Sequence, residues 1–366
     1  MIYVFSVLLA GILILVGLLL YWSYPGQPQP FLDEAGRPVA GSLSEKVFVN
    51  INGTQQGMFI KSRDVTHPVL LFVHGGPGMP EYWLTRRYPT GLENDFTVVW
   101  WEQRGAGLSY SPSLPPETMT AEQFISDTLA VTNYLRQRFG QDKIYLTAHS
   151  WGTYIALQAA ARAPELYRAY VGVGQITYQA KSEQLAYAYA LDYYRQAGNT
   201  DMVRRLEAAP PTMTVPMPTA YDALRDAYMH GAGVGTTRDM RSVERDIFLP
   251  SWQFPEYTLA EKINLWRGKF FSRSPGFSLW DKMQATDLTQ QVTRLELPVY
   301  FFSGQYDYTV NYSLTREYLK QLQAPLKGFY LFEQSAHSPF FEEPAKVQAI
   351  LRADVLAGTN SLADEK

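Results

Sequence analysis

Short runs of β-branched and aromatic residues alternate along much of this chain with longer stretches whose apolar positions recur at helical spacing. Strands are predicted at Lys46 to Ile51, Pro68 to Val73, Phe96 to Trp101, Lys143 to Thr147 and Ala169 to Val173. Helices are predicted from Ala121 to Phe139, ended by Gly140, and from Trp151 to Arg162, ended before Pro164. Strands alternating with helices in this way imply right-handed crossovers and a mostly parallel sheet covered by helices on both faces, an α/β fold. From Ile176 to about Thr293 the pattern changes to Tyr-rich and Met-rich helical stretches broken by prolines and a glycine run. It returns at Pro298 to Phe302 and Gly328 to Phe332, with helices near Tyr312 to Gln323 and Pro344 to Ala357. The middle stretch therefore reads as a helical cap inserted into one sheet domain, dividing the chain into core (46–175), cap (176–293) and core (294–366).

The N-terminus is of another kind. Ile2 to Trp22 is almost wholly apolar and matches the ~20 residues that a helix needs to cross a bilayer. Residues 1–24 are expected to form a transmembrane anchor. A cleaved signal peptide is the rival, although it would want a basic start, and no Lys or Arg precedes the segment. Asp33 and Glu34 lie nearer to the span than Arg37 and Lys46, so charge does not select the side of the membrane on which the rest lies. Residues 25–45, with three prolines between Tyr24 and Pro30, read as an extended spacer holding the globular part off the bilayer.

Composition narrows the chemistry. A formal net charge of -3 over 366 residues gives no basic footprint for nucleic acid. The absence of cysteine excludes disulfides, a thiolate nucleophile and Cys-ligated zinc. No cofactor or metal is expected. The oligomeric state is left open.

Ala148-His149-Ser150-Trp151-Gly152 falls where a predicted strand gives way to a predicted helix, the setting of a nucleophile elbow, with Ala148 where the first glycine of G-x-S-x-G usually stands. A helix N-cap is the plainer role for Ser150. A serine nucleophile needs a base held in one tautomer by a third group. Of five histidines, His67 precedes a strand, His230 falls in the cap, and His149 adjoins the serine, where packing is the simpler role. His74 and His337 remain, and His337 alone follows the last strand, where this topology needs a base. Asp307 follows the strand Pro298 to Phe302; it is either a turn aspartate or the orienting acid, and the order Ser150, Asp307, His337 favours the acid. The glycine-rich turn His74-Gly-Gly-Pro-Gly78 suits an oxyanion hole, assigned to the N–H groups of Gly76 and Trp151.

Together these residues resemble the proline iminopeptidase family of α/β-hydrolases, over nearly everything after the proline spacer. The marks are HGGPG at His74 to Gly78, WWEQRGAGLS at Trp100 to Ser109, HSWGT at His149 to Thr153 and SAHSPFFEEP at Ser335 to Pro344. The chain departs at Glu102, where D-Q-R-G is usual, and at Ala148; Glu102 and Arg104 are expected to pair and fix their loop. The resemblance implies a serine aminopeptidase releasing an N-terminal proline or small apolar residue from a small or short-peptide substrate. A carboxylesterase or lipase-like hydrolase is the alternative. It also implies glutamates, at least partly from the cap, that hold the substrate ammonium; among Glu183, Glu207, Glu244, Glu256 and Glu261, Glu244 is chosen for the dense charge cluster of Arg241, Glu244, Arg245 and Asp246.

Overall fold

Residues 2–274 and 276–366 are described by a computed structural model; Met1, in the expected anchor, and Pro275, in the expected cap, lie outside the described residues. After helix α1 (Ile2–Trp22) come β1 (Leu43–Ile51), β2 (Thr54–Ser62), β3 (Val69–Val73) and β4 (Thr97–Trp101). Then α2 (Ala121–Phe139), β5 (Ile144–His149), α3 (Trp151–Arg162) and β6 (Tyr167–Val173) complete the first part of the sheet. The helices α4 (Gln179–Gln196), α5 (Thr200–Glu207), α6 (Thr219–Ala232), α7 (Leu249–Gln253), α8 (Leu259–Ser272), α9 (Leu279–Ala285) and α10 (Leu288–Gln291) follow. The chain returns to the sheet with β7 (Val299–Gly304), α11 (Tyr312–Gln321) and β8 (Lys327–Phe332), and then α12 (Pro339–Glu342) and α13 (Pro344–Ile350).

The eight strands form one sheet in the order β1-β2-β4-β3-β5-β6-β7-β8. β1, β2 and β4 pair antiparallel, and every pairing from β4 through β8 is parallel. Alternation of side chains sorts the core onto two faces. Val69, Leu71 and Val73 of β3 pack on the face covered by α2 and α3, through Val131, Leu135, Ile155 and Leu157. Leu70 and Phe72 of the same strand face Tyr82, Phe340, Val347 and Ile350. Because both faces are covered, these strands read as continuous apolar runs, which is why they were legible in the sequence. α2 begins where the Thr120 side chain accepts the Gln123 N–H and stops at Gly140, whose φ of 61° continues no helix.

Three local expectations are corrected. β2 was not foreseen, because Gln55-Gln56-Gly57 is a poor strand signal; the Asn52-Gly53 turn, with positive φ at both residues, folds it back on β1. The proline stretch does not hold the globular part away. It is docked on that part: Gly26 N–H donates to the Pro255 carbonyl (2.9 Å), and Lys262 Nζ donates to the Trp22 and Trp252 carbonyls (2.7 and 2.6 Å). Finally, Arg104 does not pair with Glu102. Its guanidinium makes two bonds to Asp127 on α2 (2.7 and 2.9 Å), whereas Glu102 accepts the Tyr257 hydroxyl from the helical middle segment and the Leu108 N–H (2.6 Å). The loop is thus fixed from both sides, by α2 and by the segment above it. α1 meets α7 and, through the Trp22 carbonyl, Lys262 of α8, while the window Tyr3–Trp22, of mean hydropathy 2.8, is unburied.

Arg104 and Asp127 are both almost wholly buried. Removing one partner leaves the other charge unmatched in a dry site, so Asp127→Ala should lower stability by roughly 3–5 kcal/mol. Urea unfolding of the detergent-solubilised chain measures this; a loss below about 1 kcal/mol would mean that the pair is solvated.

Candidate active site

Six parallel-paired strands end along one edge of the sheet, and the sequence-predicted residues lie in the loops they release. Ser150 follows β5 in a turn with φ 54° and ψ -124°, a conformation that side-chain-bearing residues seldom adopt. The turn is tight because α3 starts at once: a Cβ at Gly152 would come within 2.1 Å of the Val73 carbonyl oxygen. Ala148 sits on β5, fully buried and in register with Val73 and Gly172, so the turn holds without the first glycine.

Asp307 and His337 are brought together from loops thirty residues apart. Asp307 Oδ2 lies 2.8 Å from His337 Nδ1, and its Oδ1 accepts the Val310 N–H (2.8 Å). His337 Nε2 is buried without a hydrogen-bond partner among the described residues, and His337 lines the same cavity as Ser150. Glu342 holds the histidine loop by accepting the N–H groups of Ala336, Ser338 and Arg238 (2.9, 3.2 and 2.7 Å). Burial, only partly offset by those bonds, pushes its carboxyl up to about 7. This gives the block after His337 a positioning role.

Gly76 also lines the cavity, and neither its N–H nor that of Trp151, at the start of α3, donates to an acceptor among the described residues. Such free donors are what an oxyanion requires. His74, the other histidine left open by the sequence, is structural. Its Nε2 accepts the Gln103 N–H (3.0 Å), so its proton is on Nδ1, which donates to the Gly75 carbonyl (2.7 Å). Burial lowers it to about 4 and keeps it neutral.

The sequence reading missed Glu81 and undervalued His149. Glu81 accepts the Gly75 N–H (2.7 Å), and its two oxygens lie 2.9 and 3.0 Å from His149 Nδ1. His149 Nε2 lies 2.8 Å from the His337 carbonyl oxygen. Both partners can only accept, so both ring nitrogens carry protons and His149 is an imidazolium. Burial opposes that charge, but Glu81 outweighs it and raises His149. The ring centroids of His149 and His337 are 4.5 Å apart. Burial first, and then this neighbouring cation, hold His337 below the ordinary imidazole value against the pull of Asp307. The signal for the pair was the histidine beside the serine together with a glutamate closely following the glycine-rich turn.

The glutamate choice is corrected. Glu244 is exposed, accepts the Ser242 hydroxyl (2.6 Å) and does not line the cavity, because it sits on the outer side of the turn leading into α7. Nor does any other of the five. Glu183 is buried behind the wall, bonded to Gln179, Tyr221 and Arg225; Glu207 pairs with Arg195, Glu256 accepts from Tyr82, and Glu261 pairs with Lys46. The carboxylates that do line the cavity are Glu81 and Asp226. Among the described residues, no group of side chains is arranged to hold a metal ion.

A family model described as "alpha/beta hydrolase fold" matches residues 68–344. The "Probable aminopeptidase YbaC" of Bacillus subtilis (strain 168) is 33% identical over 310 residues, 84% of this chain and 95% of that protein. The "Proline iminopeptidase" of Heyndrickxia coagulans is 24% identical over 288 residues, 78% and 88% of the two chains. Among solved structures, a proline iminopeptidase of Mycobacterium smegmatis superposes with a TM-score of 0.58 at 16% identity, covering 84% of this chain and 96% of that one.

If His337 serves as the base, its being held below the ordinary imidazole value keeps it neutral further into acid, so the acid limb of kcat/KM should lie below about 6.5. His149→Ala removes the neighbouring cation and leaves Glu81 unpaired, and both changes raise His337. The limb should therefore move to higher pH in pH–rate profiles on an aryl ester. A limb unmoved by the substitution would break the proposed coupling.

Proposed function

The chain belongs to the α/β-hydrolase family and is a serine hydrolase, and we propose that it is an aminopeptidase in which Ser150, His337 and Asp307 form the catalytic triad. The observation that carries the triad is the bond of His337 Nδ1 to Asp307, with Nε2 left unpaired on the cavity that Ser150 lines. The extent of the likeness to a protein named a probable aminopeptidase supports the substrate class.

In this reading Ser150 Oγ attacks the first peptide carbonyl and gives its proton to His337 Nε2, while Asp307 remains ionised and stabilises the imidazolium. The oxyanion is received by the N–H groups of Gly76 and Trp151. The carbon–nitrogen bond then breaks, the leaving amine takes the proton from His337, and an acyl-enzyme remains. Water, deprotonated by His337, adds to the ester carbonyl; collapse releases the amino acid and returns the proton to Ser150. The substrate ammonium needs a carboxylate partner once it leaves water. Asp226 is assigned to it, because Glu81 is buried and bonded to His149 and Gly75, whereas Asp226 is exposed and meets Arg225 only at 3.6 Å.

Ester hydrolysis is the second reading. It is favoured by the finding that, among the described residues, only two carboxylates line the cavity and both have cationic neighbours, Glu81 in His149 and Asp226 in Arg225 at 3.6 Å. We also propose that α1 anchors the protein in a membrane, on its length and apolar composition. Retention of the protein in the membrane fraction after alkaline extraction, with release on deletion of residues 1–22, is the expected result; release of the full chain would reject the anchor.

A panel of Pro, Ala and Leu arylamides against N-blocked arylamides and acyl esters tests the substrate class. Cleavage confined to free-amine arylamides is expected, with Asp226→Asn raising their KM by about tenfold and sparing blocked esters. Ester cleavage alone would remove the aminopeptidase reading. Ser150→Ala should abolish fluorophosphonate labelling and leave at most the ~10³ to 10⁴ over water that positioning and the oxyanion hole supply; labelling of the variant would remove Ser150 as nucleophile.

A further inference from the structure

The charge in the wall of the cavity is of the wrong sign for a site that binds only an ammonium. Besides the Glu81–His149 pair, three basic side chains among the described residues line it, Arg225, Lys269 and Arg273, against the single further carboxylate of Asp226. Arg225 is matched by Glu183 at 2.8 Å, with Asp226 further away at 3.6 Å. Lys269 and Arg273 have no such match. Among the described residues, neither side chain makes an ion pair or a hydrogen bond, and the Arg273 guanidinium instead lies 3.8 Å from the centre of the Trp280 ring.

Lys269 and Arg273 are four residues apart, at the end of α8 and its cap, so they project from one face a turn apart. A helix C-terminus welcomes cations, which would explain two basic residues there but not their turning toward a cavity. Lys269 is half-buried and Arg273 exposed, so solvent reaches both. The protein around them still disfavours the charge: burial lowers Lys269, and the nearby Arg273 lowers it further. Burial likewise lowers Arg273, although Asp226 opposes this. Stacking on Trp280 fixes the plane of the guanidinium and leaves its N–H edge free, the arrangement suited to a planar, two-oxygen acceptor.

We infer that Lys269 and Arg273 form a subsite for a carboxylate carried by the substrate. Within the peptidase reading, on which the choice of substrate rests, this makes the substrate a short peptide with a free C-terminal acid. Asp226 would meet its ammonium, and the two cations on α8 its carboxylate. A cavity that reads both ends of a peptide selects di- and tripeptides over longer chains. A carboxylate taken between Lys269 and Arg273 also adds to Asp226 in offsetting their mutual repulsion.

The test does not depend on turnover. Labelling of the full-length protein by a fluorophosphonate is followed in the presence of Ala-Gly or of its C-terminal amide, Ala-Gly-NH2. The acid should protect at a concentration at least about tenfold lower than the amide, the worth of one or two charge-assisted bonds. That ratio should fall to near one in a Lys269→Met, Arg273→Gln double variant and survive in Lys269→Arg. Since the readout is a ratio within each protein, a general loss of reactivity does not imitate the effect, and the wild-type ratio stands even if the double variant does not fold. Equal protection by acid and amide in the wild type, or a preference that persists in the double variant, would overturn the inference. Should the arylamide panel show no peptidase activity while the acid still protects selectively, the peptidase reading fails and the carboxylate subsite remains.

Discussion

Parallel pairing from β4 through β8 obliges six strands to end at one edge of the sheet, and the working parts of this protein are what the chain does on leaving that edge. His74 follows β3, Glu102 follows β4, Ser150 follows β5, Asp307 follows β7 and His337 follows β8. The demands of this edge are local and severe: Gly152 meets the end of β3 with no room for a side chain, and a Cβ at Gly174, after β6, would lie 2.8 Å from the His337 ring. The turn at Ser150 keeps its unfavourable dihedrals because strands on both sides of β5 leave it no alternative.

A chain of charge extends from this edge into the loops. Asp307 faces His337, His149 sits beside it, and Glu81 completes the series while holding the glycine-rich turn through the Gly75 N–H. Anion, imidazole, cation and anion follow one another in a nearly dry space. Each charge is tolerable only because of its neighbour. The same two residues, Glu81 and His149, therefore fix the backbone on which the proposed oxyanion donor lies and set the field felt by the proposed base. Position and basicity are coupled through one buried ion pair.

The helical middle segment obeys a different economy. Glu183, Tyr221 and Arg225 form a closed buried network, and the other glutamates that a family resemblance would recruit lie on the surface (Glu207, Glu244) or are bonded away from the cavity (Glu256 to Tyr82, Glu261 to Lys46). What remains open to the cavity is mainly positive. The segment thus differs in charge from the ammonium-binding wall expected on resemblance, while the sheet edge beneath it brings the proposed acid and base, Asp307 and His337, within 2.8 Å.

The sequence by itself determined the parallel core, the positions of α2 and α3, the candidates Ser150, Asp307 and His337 and the glycine-rich turn. Each of these depends on local signals: runs buried on both faces, helix caps, and residues that must stand directly after a strand. β2 was hidden because its glycine is required by the close approach of Leu108, a contact 51 residues away in the chain. The partner of Arg104, the inward turn of Glu81 and His149, and the displacement of Glu244 to the surface were decided by the tertiary structure alone. An ionisable side chain carries no periodicity that states its partner. Whether it is a solvated surface charge, half of a buried pair or a free cation facing a cavity depends on which other charges the fold brings within a few ångströms of it.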